Sequence, residues 1–248
     1  DDGWPPRTRR IAIGQVLYFT ADDGQNGIEL WRSDGREAGT FMVLDIWPGE
    51  RYPSAPASSA PFNLTEVNNK LFFGASDAEH GTELWISGGL PQTTQLVKDI
   101  KPGTGSGFDC ESWYSSGPDH CWMVGVNDIL YFSADDGQNG CELWRSDGST
   151  AGTWLVKDIY PGSEGGLNYG LGPNDPSGPA PRTAVLNDIV YFVADDGTHG
   201  YELWRSDGTS GGTWMVKDIG PDITYGETLY HRSGFHGALT AANGQLFF

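Results

Sequence analysis

ELWRSDG occupies residues 29–35 and recurs at 142–148 and 202–208; ELWISGG at 83–89 is an altered fourth copy. The tryptophans of these copies, Trp31, Trp85, Trp144 and Trp204, are separated by 54, 59 and 60 residues. Repetition at a fixed period of this size marks an array of like supersecondary units. Outward from the third copy the chain reads HCWMVGV, ND, ILYFSA, DDGQNG, CELWRS, DGSTAG, TWLVKDI and YPG. The apolar runs are short and rich in β-branched and aromatic residues, which favour strands. The connectors are Asp, Asn and Gly, which form Asx turns or accept positive φ. Strands joined by such short turns pair antiparallel.

Each repeat therefore reads as a four-stranded antiparallel sheet, and a series of such sheets predicts a β-propeller with one blade per repeat, with a solenoid or an open array of sheets as the rival architecture. ILYFSA and WMVKDI carry apolar groups on both faces, as a sheet sandwiched between neighbouring blades requires. The predicted fold is all-β: a single repeat domain over 1–248 with blades at about 7–61, 62–119, 120–181 and 182–236, and a partial fifth at 237–248. ALTAANGQLFF reads as the first two strands of that fifth copy. Half a blade leaves a strand edge, and edges recruit partners. The expectation is a longer protein, or another chain that supplies the missing strands.

ELWRSDGTSGGTWMVKDI at 202–219 and ELWRSDGSTAGTWLVKDI at 142–159 resemble the ELWxxDGT repeat family, over nearly the whole chain. The resemblance implies a propeller scaffold in large secreted or surface-displayed proteins, mostly without enzymatic activity. The second copy departs from the pattern, with ISGGLPQTTQ in place of the turn, which weakens whatever the turn does there. The SDG turn also resembles the Asp-box hairpin of sialidases, which is structural and implies no catalysis.

A formal charge of −18 over 248 residues opposes nucleic-acid phosphates and keeps the chain soluble. No 18-residue apolar run predicts a membrane span. Cys110 and Cys121 flank CESWYSSGPDHC, and the expectation is a disulfide closing that loop, with Cys141 a packed strand thiol. A cysteine pair and the glycosylation sequon at Asn63-Leu64-Thr65 suit an extracellular or cell-surface setting.

Alignment of the copies exposes retained acids. The first turn keeps Asp23, Asp77, Asp136 and Asp196; six residues on come Glu29, Glu83, Glu142 and Glu202; the fourth strand ends in Asp45, Asp99, Asp158 and Asp218. Two readings stand: these oxygens ligate Ca²⁺, or the Asp cap turn amides and the Glu pair with a neighbouring strand. The spacing is not that of an EF-hand. Copy one has Leu44 where the others carry Lys98, Lys157 and Lys217, so a Glu–Lys pair does not fully explain the Glu. His80 and His199 stand where Asn26 and Asn139 stand, which predicts turn residues tolerant of left-handed backbone rather than metal ligands. No Ser-His-Asp or Cys-His constellation is present, so no catalytic residue is assigned; a paired-carboxylate glycosidase stays open, since such pairs form in space.

Function is expected where the copies differ, because insertions between equal blades carry specificity. Trp113 and Tyr114, Tyr169, and Trp47 beside the Pro- and Ser-rich 51–61 are the expected contacts to partner chains or glycans. The leading expectation is a non-enzymatic structural or adhesion module, self-assembling or binding other chains through edge strands and inter-blade loops; the alternative is a lectin-like propeller.

Overall fold

The computed structural model describes residues 9–53, 55–110, 121–167, 183–221, 223–225, 228–230, 233–234 and 238–248. They form four four-stranded antiparallel sheets in repeat order. The first blade holds β1 (Arg10–Ile13), β2 (Val16–Asp22), β3 (Ile28–Ser33) and β4 (Phe41–Leu44). A short ribbon, β5 (Glu50–Tyr52) with β6 (Ala55–Pro56), follows. The second blade is β7 (Phe62–Val67), β8 (Lys70–Asp77), β9 (Gly81–Ser87) and β10 (Thr94–Lys98); the third is β11 (Met123–Val126), β12 (Ile129–Asp135), β13 (Cys141–Ser146) and β14 (Trp154–Lys157). The fourth is β15 (Thr183–Leu186), β16 (Ile189–Asp195), β17 (Tyr201–Ser206) and β18 (Trp214–Lys217). A hairpin of β19 (Ile223–Tyr225) and β20 (Thr228–Tyr230) precedes β21 (Thr240–Ala242) and β22 (Gln245–Phe247). First strands sit beside first strands: β7 neighbours β1 and β11, and β15 neighbours β21 and β22. The chain is thus a β-propeller of four complete four-stranded blades and the first two strands of a fifth.

Apolar groups on both strand faces fill the spaces between blades, as the sequence pattern requires. Tyr18, Leu30 and Val43 of the first blade pack with Leu71, Phe73 and Trp85 of the second. Phe72, Leu84 and Ile86 on the opposite face of the second blade join Leu130, Phe132 and Trp144 of the third. Alternate residues of one strand therefore serve two different cores. Every β3–β4-type pair carries a bulge: Leu143 pairs Lys157 while Trp144 pairs Leu155, skipping Val156. The same step skips Val43, Val97 and Val216. The bulge frees the Val97 carbonyl, which accepts a hydrogen bond from Thr150 Oγ1 of the next blade at 2.8 Å.

The SDG turn is built by groups the alignment did not single out. The Ser of each turn bonds a Thr seven residues on: Ser33–Thr40, Ser87–Thr94, Ser146–Thr153 and Ser206–Thr213, at 2.6–2.7 Å. In the third copy Asp147 Oδ1 accepts from Ser149 N, and a Cβ on Gly152 would strike that carboxylate. The altered second copy exchanges the two roles. Gly88 replaces the Asp, Thr93 replaces the Gly, and Thr93 Oγ1 accepts from Leu90 N. The turn there is rebuilt rather than weakened, contrary to the sequence expectation.

Polar contacts pin neighbouring blades. Arg145 Nη1 donates to the Gly208 carbonyl at 3.4 Å and Lys157 Nζ to the Thr213 carbonyl at 2.7 Å. Arg32 reaches Gly89 and Lys98 reaches Thr153 in the same way. A Cβ on Gly208, whose φ is +87°, would collide with the Tyr131 hydroxyl. Gly24 has a similar φ of +78° with open space around it. Gly208→Ala is expected to cost about 2 kcal/mol or more and Gly24→Ala about 1 kcal/mol. The difference in denaturant midpoints measures the blade-to-blade contact; equal losses would show that backbone strain alone matters.

Candidate functional site

The retained Glu is a clasp on the chain between blades. Glu142 Oε1 accepts hydrogen bonds from Tyr160 N at 2.9 Å and Gly166 N at 2.7 Å. Glu83 Oε1 accepts from Lys101 N and Gly107 N, and Glu202 Oε1 from Gly220 N and Gly234 N. Glu29 takes Ile46 N, Ser59 N and Ser59 Oγ. The first tie always lies 17 or 18 residues past the Glu, just after the fourth strand. The second lies 24, 30 or 32 residues past it, according to linker length. The clasped residue then passes the contact on. The carbonyls of Ser59, Gly107 and Gly166 accept from Ser76 N, Asp135 N and Asp195 N of the next blade at 2.8–2.9 Å. One carboxylate thus seals linkers of different lengths and, in the first three blades, ties the blade to its successor.

All four Glu are fully buried. Burial is the dominant influence on Glu83 and Glu142, and the amide bonds offset only part of it, so the carboxyls rise to about 8 and about 7. Glu29 is raised for the same reason. A raised folded-state value means that folding takes up protons. The stabilisation is complete below the unfolded value of about 4.5 and is lost as pH rises through the folded value. The melting temperature is expected to fall between about pH 5 and pH 8.5, and the Glu83→Gln/Glu142→Gln double variant to flatten that slope. An unchanged slope in the double variant would remove these groups as its source.

The first-turn Asp have a separate occupation. Asp136 Oδ1 accepts from Gln138 N and Asn139 N, and Oδ2 from Asn139 Nδ2. Asp23 does the same with Gln25 and Asn26. At Asp77 and Asp196 the side-chain partner is His80 Nδ1 at 2.9 Å and His199 Nδ1 at 2.8 Å. Asn and His interchange because each offers a side-chain nitrogen at the same place. The left-handed backbone expected of them falls instead on the following Gly27, Gly81, Gly140 and Gly200.

These contacts give the expected calcium set, Asp23, Asp77, Asp136 and Asp196 with Glu29, Glu83, Glu142 and Glu202, the scaffold occupation that was the other reading of the sequence. The Asp oxygens cap turn amides and the Glu oxygens hold linker amides. Among the described residues no group of three or more His, Cys, Asp or Glu is placed to hold a metal. Asp45, Asp99, Asp158 and Asp218 each keep one buried oxygen without a hydrogen-bond partner.

Two further expectations change. The disulfide joins Cys110 to Cys141, with Cα atoms 5.2 Å apart, and Cys121 lies buried outside that bond. The Gly107–Asp135 bond lays the linker beside the strand that leads to Cys141, which places Cys110 there. Asn63 Nδ2 donates to the Cys121 carbonyl at 2.7 Å, which engages one of the two N–H groups of the sequon amide. Trp113, Tyr114 and Tyr169 lie outside the described residues. Trp47 is half-buried, with the Arg51 guanidinium 5.3 Å from its ring centre and 5.8 Å from that of the exposed Tyr52.

Sequence reasoning missed the flank of the fourth blade. The bulge valines Val43, Val97 and Val156 are at most 4% exposed, but Val216 is 39% exposed. Ile46, Ile100 and Ile159 are buried, but Ile219 is 37% exposed. Tyr18 and Tyr131 are buried where Tyr191 is half-exposed. In the copies these residues look alike; only the three-dimensional arrangement tells them apart by exposure. Trp31 is half-exposed where its three counterparts are buried.

No protein-family model matches the chain, and no curated protein matches it. Among solved structures it is similar to an α-L-arabinofuranosidase (CtGH43) from Clostridium thermocellum ATCC 27405. The identity is 12%, over 89% of this chain and 78% of that one, with a TM-score of 0.31. A likeness this loose carries no argument about activity. Among the described residues no helix is long and apolar enough to cross a membrane.

Proposed function

We propose that this chain is a non-enzymatic, extracellular β-propeller of the ELWxxDGT repeat type whose work is structural or adhesive. It binds partner chains, or assembles into a larger surface structure, through open blade flanks. One observation carries this reading: Val216 and Ile219 face solvent at positions that the other blades bury, and apolar surface flanked by polar groups marks an interaction site. The Cys110–Cys141 bond suits an oxidising compartment. Sedimentation velocity tests the reading. Association that grows with concentration and is lost in Val216→Asp/Ile219→Asp supports it. A monomer at every concentration, or turnover of glycosides, overturns it.

Glycan recognition is a second reading, favoured by the Trp47–Arg51–Tyr52 group in the first inter-blade loop. Aromatic faces beside a cation suit sugars with acidic substituents. Glycan-array binding that disappears in Trp47→Ala supports it; array binding indifferent to Trp47 removes this site.

A further inference from the structure

The seam between the second and third blades departs from its neighbours in one row of side chains. The cross-strand pairs Tyr18–Arg32, Tyr131–Arg145 and Tyr191–Arg205 stand in three blades; the second carries Phe72–Ile86 in their place. At the seams on either side this row grips the turn glycine of the following blade. The Tyr18 hydroxyl and Arg32 Nη1 lie against Gly89, and the Tyr131 hydroxyl and Arg145 Nη1 against Gly208. Each Arg donates to the carbonyl of that glycine. Gly148 instead meets the hydrocarbon ends of Ile86 and Phe72, and neither can donate a hydrogen bond. A second exchange accompanies the first: Lys70 stands where the other blades carry Val16, Ile129 and Ile189. A cavity of about 300 Å³ opens at this seam. Phe72 and Ile129 give it an apolar wall, and the exposed Lys70, Asn68, Asp128 and Asp147 give it a polar rim. Both blades that form it are complete four-stranded sheets, so the cavity belongs to an interior seam.

We propose that this cavity binds a single sugar residue, with its hydroxyls held by Lys70, Asn68, Asp128 and Asp147 and its C–H groups turned to the Phe72–Ile129 wall. The rim selects this chemical class. It mixes one ammonium, one amide and two carboxylates, so a ligand with a charge of either sign meets a like charge. A hydroxyl donates to the carboxylates and accepts from the ammonium and the amide. Asp147 Oδ1 is taken by Ser149 N and Oγ, which leaves Oδ2 to the ligand. The volume lies at the small end of ligand pockets, and an apolar wall with a few convergent polar groups is their usual make-up. It has room for one ring rather than a chain. The second blade has thus given up the phenol and guanidinium that fill this place at the neighbouring seams. The site shares no residue with the Trp47 group and does not depend on the assembly reading.

The test is titration of the full chain with free hexoses, pentoses and N-acetylhexosamines, one at a time and at millimolar concentration, followed by amide shifts in two-dimensional NMR. At least one sugar is expected to give saturable shifts at the amides that line the cavity, those of Asn68, Lys70, Asp128 and Gly148 among them. Lys70→Met and Asp128→Asn, both at exposed positions, are each expected to weaken that binding by about tenfold. Phe72→Tyr/Ile86→Arg rebuilds the row of the neighbouring seams and fills the cavity. It is expected to abolish binding while the melting temperature is kept or raised. Absence of shifts at these amides with every sugar overturns the inference. So does binding whose affinity is unchanged in the rebuilt row and in both rim variants. Saturable shifts with a zwitterionic amino acid such as glycine, and none with sugars, also overturn it. Glycan-array binding lost in Trp47→Ala, with no free sugar shifting the cavity amides, leaves the Trp47 reading standing and this one overturned.

Discussion

Glu142→Ala is expected to destabilise the protein by about 3–5 kcal/mol. Removal of the carboxylate leaves the amides of Tyr160 and Gly166 without an acceptor, and each buried orphan costs about 1–3 kcal/mol. A cavity in a fully buried position adds to this. The loss also reaches the next blade, because the clasped Gly166 is the residue whose carbonyl receives Asp195 N. Glu142→Gln is expected to be close to neutral at pH 7. It keeps an oxygen acceptor, and only one of the Glu142 oxygens is used. It also carries no buried charge. Chemical denaturation measures both variants. Equal losses in Ala and Gln would show that charge, rather than the acceptor, is what the site needs; no loss in Ala would show that the clasp contributes nothing.

The second large effect belongs to the disulfide. Cys110 and Cys141 are 31 residues apart in sequence, and closing a loop of that length in the unfolded chain is worth about 3.5 kcal/mol on the chain-entropy estimate. Cys110→Ala and Cys141→Ala are each expected to lower stability by about this amount, a drop of roughly 10 °C in Tm for a domain of this size. Reduction of the unaltered protein should reproduce the effect. Cys121→Ala is expected to cost less, about 1 kcal/mol. A large loss at Cys121 with little at Cys141 would restore the pairing that the sequence suggested.

That pairing shows where sequence stops being informative. Cys110 and Cys121 are near each other along the chain, but a blade array brings residue 110 beside the first residue of the next third strand, and no local pattern reveals that. The fold was legible because the repeat aligns with itself: the strands of the four blades, their Asx turns and the half blade at 238–248 appear in register, whereas the ribbons β5–β6 and β19–β20 lie outside the repeat and carried no such signal. The role of the Glu was not legible. Its partners are backbone amides at two distances, one constant and one set by linker length, and backbone groups leave no residue-type signal. The exchange of Asp and Gly for Gly88 and Thr93 was hidden for a related reason: each change looks like decay until its partner is seen. The exposed flank of the fourth blade was invisible because exposure, not identity, distinguishes Val216 from Val156.

The central claim is that the retained carboxylates of the repeat hold backbone rather than a cation, so that the motif is scaffold and function sits on the flank and loops. Thermal melting with added Ca²⁺ and with a chelator tests it most directly. A ligand that binds only the folded state raises Tm with its concentration. The account predicts superimposable melting curves in calcium and in chelator, since the first-turn Asp hold turn amides and Oε1 of each retained Glu holds linker amides. A rise in Tm with calcium, reversed by chelator, would contradict it and would point to the unpartnered oxygens of Asp45, Asp99, Asp158 and Asp218 as the ligands.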